Sequence, residues 1–203
     1  MGYCFIGDNW NISAEKVVQT EEEKYTSEYG RDGFLIKKRI YKKEVVDDLN
    51  KYIHFLEKKH LPDTIEITYR DRIPKPSNKT KIFQPISKLI DSIKYPISRE
   101  DLLGKLDDLA VALEGEVEKR EISLFQSVQI HRRTISYPAV KKALIEIDDP
   151  EDIRLIVDAH DLAQTRNPLE FVSGDKDICG HTEAKLIKTN TSIAGVIPLR
   201  TFY

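Results

Sequence analysis

Cysteine is nearly absent. Cys4 and Cys179 are the only two in 203 residues, which rules out a disulfide framework and any cysteine spacing typical of a metal site. Long apolar runs are missing too, since none approaches the ~18 residues that a membrane span requires. The N-terminus has neither the charged nor the apolar region of a secretory signal. An excess of one charge is also lacking: 32 basic residues face 34 acidic ones, for a formal net charge of -2. That balance excludes a general nucleic-acid coat, because affinity for phosphate backbones comes from dense Lys/Arg surfaces. There is no internal repeat, no low-complexity tract and no nucleophilic cysteine or serine constellation. Together these absences predict a cytoplasmic chain in a reducing setting, with no membrane among its partners.

What is present is enough apolar material, 40% of the chain, for one core and a helical appendage. Asn11 or Ser13 is placed to cap a helix carrying Ala14, Val17 and Val18. Gly30 and Gly33 bracket Asp32 in a predicted turn. From Phe34 to Lys59 the apolar residues Leu35, Ile40, Val45, Val46, Leu49, Ile53 and Leu56 approximate a helical period. Thr64 to Tyr69 alternates like a short strand. Prolines at 62, 74, 76, 85 and 96 then mark the stretch 61–97 as an irregular insertion. Within it, over residues 70–81, Arg70, Arg72, Lys75, Lys79 and Lys81 outnumber the single acid Asp71. A solvated loop is the plain reading, and a contact for phosphates the sharper one.

Ser98-Arg99-Glu100-Asp101 resembles a capping box. Leu102, Leu106, Leu109, Leu113, Val117, Leu124 and Val128 continue it as one packed stripe, ended by Tyr137-Pro138. Val140, Leu144 and Ile147 predict a short helix. Asp149-Pro150-Glu151-Asp152 then opens another, with Asp149 as N-cap and Pro150 in the first turn. Its expected buried face is Ile153, Ile156, Val157, Ala159 and Ala163. Leu169 to Ser173 reads as a buried strand, with Gly174-Asp175 just past its carboxyl end, where ligands sit in open α/β sheets. Asp175 and Asp177, close together on that loop, suit a hard divalent cation with oxygen ligands. The plain alternatives are dipole-favoured carboxylates in a first turn and an ordinary Asp-rich turn. His131 and His160 read as surface or boundary side chains.

The segment Asp152–Ala159, followed by Phe171-Val172-Ser173-Gly174-Asp175-Lys176-Asp177 and by Thr191–Ile193 leading to Val196–Leu199, resembles the C-terminal half of a PIN domain. The resemblance covers about the last 55 residues and is moderately specific. It implies an α/β fold with a PIN-like parallel sheet flanked by helices. Residues 1–203 would form a single domain carrying a long helical insertion at about 61–134. It further implies an endoribonuclease that uses Mg2+ or Mn2+, with Asp152, Asp175 and Asp177 as metal-binding and catalytic acids. The first acid is either Asp8 or a residue upstream of Met1, and the second is Asp32 or Glu44. RNA is the implied partner, with Arg70, Arg72, Lys75, Lys79 and Lys81 as its contacts; a further protein or a second copy stands beside it. The alternative is a catalytically impaired PIN-like binding module. A haloacid dehalogenase-type phosphatase, suggested by Gly174-Asp175, fails because no early strand carries Asp-x-Asp-x-Thr.

Overall fold

The computed structural model describes residues 11–78 and 80–202. Asp8 and Lys79 lie outside them. A short helix α1 (Asn11–Gln19) leads to strand β1 (Lys24–Ser27) and then to the long helix α2 (Glu28–Lys58). The Ser27 hydroxyl caps α2 by accepting the Gly30 N–H at 3.0 Å. No turn forms at Gly30 and Gly33; the helix runs straight through both. Two helical glycines together cost roughly 2 kcal/mol, and packing elsewhere along α2 outweighs it. Gly30 itself is required by space, because a Cβ there would sit 2.8 Å from Thr26 Oγ1 and 3.4 Å from Leu155 Cδ2.

Helix α2 pairs with α4 (Arg99–Ser127). Lys38 meets Glu118 and Glu121, while Lys42 meets Glu118 and Glu114. Rising numbers on one helix match falling numbers on the other, so the pair is antiparallel. Phe34 and Phe125 close one end edge to face, with ring centroids 5.5 Å apart. Tyr41, Val45, Leu49, Tyr52 and Leu56 from α2 pack in one cluster with Leu102, Leu106, Leu113 and Val117 from α4. The Ser98 hydroxyl accepts the Asp101 N–H at 2.9 Å, so the capping reading holds.

The stretch 61–97 is more ordered than its prolines suggested. Strands β2 (Thr64–Ile65) and β3 (Ile97–Ser98) pair antiparallel, with Ile65 opposite Ile97. The strand expected over Thr64–Tyr69 stops early and gives way to a 3-10 turn at Ile67–Arg72. Helix α3 (Phe83–Ser92) buries Ile86 and Ile90, one turn apart, beside Ile82 and Ile93. Pro85 lies in the first turn of α3, where its missing N–H breaks no helical bond. Replacing Leu49, which is fully buried, with Ala should cost about 2–5 kcal/mol. Urea unfolding measures this, and an unchanged midpoint would contradict the helix-on-helix core.

Helix α4 ends at Ser127 and does not extend through Val128. Val128–His131 is strand β4, which pairs parallel with β1 so that Lys24 faces Val128 and Ser27 faces His131. Val128 and Ile130 suit a strand once a partner strand is available, since β-propensity depends on what lies alongside.

Helices α5 (Pro138–Ala143) and α6 (Pro150–Ala163) follow. Then come β5 (Glu170–Ser173), α7 (Lys176–Cys179), α8 (His181–Asn190), β6 (Gly195–Pro198) and a final 3-10 turn at Leu199–Phe202. Strands β5 and β6 are parallel, with Ser173 opposite Pro198. Leu144, Ile147, Ile156, Val157, Ile178, Ile187 and Ile193 form a second core around them. Strand β5 was expected to be buried. It alternates instead, with Glu170 and Val172 exposed and Phe171 and Ser173 half-buried. The class is therefore mixed α/β, with two separate parallel strand pairs, β1–β4 and β5–β6. No helix among the described residues is long and apolar enough to cross a membrane.

Candidate active site

Helix α6 joins the two strand pairs. Leu155 lies against Gly30 at the start of α2, while Ile156 and Val157 belong to the core that holds Phe171 and Val196. Its start follows the sequence reading: the Asp149 side chain accepts the Glu151 N–H at 2.8 Å, and Pro150 occupies the first turn. Asp152 follows, half-buried. Just past β5, Asp175 Oδ1 accepts the Asp177 N–H at 2.8 Å, and the Asp175 N–H donates to Ser173 Oγ at 3.0 Å. The short helix α7 thus locks the Gly174–Asp177 corner in place.

The two acidic segments share one electrostatic environment. Burial, then the charges of Asp149 and Asp175, push the Asp152 carboxyl up to about 6. Lys37 of α2 opposes this, and Asp177 adds a smaller push upward. Asp152 of α6 therefore lies within electrostatic range of the carboxylates at the β5–α7 corner, with Lys37 as the opposing charge. Among the described residues, no three His, Cys, Asp or Glu side chains lie close enough to form a ready-made metal cage.

No family model matches this chain, and no curated protein or solved structure is significantly similar to it. Its site must be read from its own residues.

The candidates for the second acid sit elsewhere. Asp32 contacts the neighbouring Arg31 at 2.9 Å and is not among the groups that perturb Asp152. Glu44 lies about two turns beyond Lys37 on α2 and pairs with Lys81. The basic residues of the insertion also have local partners: Arg70 contacts Asp71 at 3.3 Å, Arg72 stacks on Tyr69, and Lys81 lies over Tyr41. Lys75 lines a shallow groove with Asp48, Lys51, Tyr52 and Phe55.

Sequence reasoning missed a polar cluster on the far half of α6. Asp158, His160 and Asp161 are all buried. Asp161 accepts from His131 Nε2 and from the Tyr137 hydroxyl, each at 2.8 Å. Asp158 lies 3.4 Å from Arg133. His160 Nδ1 accepts the Ser192 N–H at 2.9 Å, and burial pushes its pKa down, so the ring stays neutral. His160 is thus an interior group and not the surface or boundary side chain expected, because Tyr137 and Ser192 cover it. The signal was the spacing of Asp158 and Asp161, three apart on the helix and therefore on one face. Cys179 donates its thiol to the Ser173 carbonyl at 3.3 Å, and burial raises its pKa. That environment suits a structural thiol and not a nucleophile.

Proposed function

We propose that this chain is a PIN-like endoribonuclease that hydrolyses RNA phosphodiester bonds with Mg2+ or Mn2+. One observation carries the reading: Asp175, just past the carboxyl end of β5, raises the pKa of Asp152 on the separate element α6. The donor set is all oxygen and poorly neutralised, which fits a hard cation. Mg2+ keeps several waters and needs only one or two direct carboxylates, so a fully formed cage is not a prerequisite. Asp152 and Asp175 would hold the ion, with Asp177 as an accessory acid.

When bound, the ion would lower the pKa of a water and neutralise charge on the phosphodiester. The chain's own contribution is positional. Asp149 caps α6 and fixes the height of Asp152. The Asp177 N–H holds the Asp175 carboxylate in one orientation. The resemblance gives the first acid to Asp8 or to a residue upstream of Met1.

The competing reading is a PIN-like binding module with an incomplete site. It is favoured by the lack of a three-acid cluster among the described residues. Metal titration separates the two. A competent site stabilises the fold by linkage, about 2.7 kcal/mol at an ion concentration a hundred times Kd. The expected result is a rise in melting temperature with Mn2+, together with cleavage of single-stranded RNA. Neither a shift nor cleavage would leave only the binding module.

A further inference from the structure

We infer that the outward face of α4 is an interface for a second copy of this chain, with the two α4 helices lying antiparallel. Docking of this kind needs no part of the nuclease reading. Helix α4 carries two lines of residues on opposite sides. Leu102, Leu106, Leu113 and Val117 are buried in the cluster shared with α2. Gly104, Val111, Gly115 and Ile122, at steps of seven, four and seven, run along the other side of the helix. All four are exposed. Val111 is 72% exposed and Ile122 59%, so among the described residues nothing covers this line.

The two glycines serve no purpose within one copy. A Cβ at Gly104 or Gly115 would meet no atom within 4 Å outside the local helix backbone. Alanine would fit at both positions and favour the helix more. Gly30 differs, since a Cβ there would crowd Thr26. A glycine on an open helix face lets a second backbone approach closely.

The same face turned end for end matches this one in size. When Val111 of one copy is level with Gly115 of the other, Ile122 falls level with Gly104. Each exposed apolar side chain then meets a glycine, and two-fold symmetry repeats both contacts. A parallel pair in register would set glycine against glycine and Val111 against Val111, leaving gaps. Charge selects the same register. Asp108 and Lys119 are exposed on one flank of the line, and across the antiparallel pair they come within one residue of level. Two opposite-charge contacts form by symmetry. On the other flank Asp107 nears Glu118, whose charge is already met by Lys38 and Lys42 of its own chain. A contact of one helix per copy is small beside the roughly 800 Å2 per partner of a standard interface, so Kd should be on the order of 10 µM.

Sedimentation equilibrium of the full chain, from micromolar to submillimolar concentration, reads the association. Gly115→Leu fills the space that Val111 needs, and Lys119→Glu brings like charges together. Each should raise Kd by about tenfold or more. Neither should lower the melting temperature, because both sites are exposed, and Gly115→Leu should raise it. Adding Asp108→Lys to Lys119→Glu restores the pair with its signs exchanged, and Kd should return to within about threefold of wild type. A monomer over the whole range would overturn the inference. So would a dimer unmoved by Gly115→Leu and Lys119→Glu, which would lie on another face. A dimer weakened by Lys119→Glu and not rescued by the exchange would overturn the antiparallel register.

Discussion

Asp175→Asn should reduce Mn2+-dependent RNA cleavage by on the order of 100-fold or more, without weakening the metal-free fold. Asn is as good an N-cap as Asp, so the bond to the Asp177 N–H survives. What disappears is one negative charge in a volume already short of positive charge. Asp152 is held at about 6 by burial first, then by Asp149 and Asp175. Removing Asp175 should therefore lower the Asp152 pKa, which a 13C-carboxyl NMR titration can follow.

The sign of the stability effect follows from linkage. A carboxyl whose folded pKa exceeds its unfolded value contributes stability below the unfolded pKa, and loses it as pH rises through the folded one. Between roughly pH 4 and 6 the metal-free wild type should lose stability from this group, and Asp175→Asn should lose less. Wild-type cleavage by Asp175→Asn, or an unmoved Asp152 titration, would show that the two acids do not share a site.

The second large effect is structural. Asp161→Asn should cost about 3 kcal/mol and lower the melting temperature by roughly 6–12 °C for a chain of this size. Burial alone would raise the Asp161 pKa. Hydrogen bonds from Tyr137 and His131 and from the Thr134 backbone outweigh it and hold the carboxyl below its usual range. Such a group stabilises the fold above its unfolded pKa and loses that contribution as pH falls through the folded value. The variant should therefore be less stable at neutral pH and flatter on the acid side. Thermal melts from pH 3 to 7 test this. A melting temperature equal to wild type at neutral pH would show that Asp161 does not clamp the 131–137 segment to α6.

Much of the helical architecture was legible beforehand because it is local. The leucine steps of α4, the Ser98 cap and the Asp149-Pro150 start each depend on neighbours within about one turn. Helix periodicity expresses these directly. The loop position of Asp175 just past β5 was legible for the same reason. The switch at Val128 was not. An apolar residue in step with a helical stripe also fits a strand, and only the partner β1 selects the strand. Gly30 and Gly33 misled in the same way: both lie inside α2, where a Cβ at Gly30 would crowd Thr26 and Gly33 has open space around it.

The chain's own order of residues determined where helices begin, which faces are apolar, and that acids flank both α6 and β5. Folding in three dimensions decided the rest. It brought Asp152 and Asp175 within electrostatic reach, placed Lys37 within reach of Asp152, and tied Glu44 to Lys81. It also buried Asp158, His160 and Asp161 against His131, Arg133, Tyr137 and Ser192. The physical reason is range. Caps and stripes are fixed by contacts a few residues apart, whereas desolvation and charge coupling depend on groups the chain brings together only on packing.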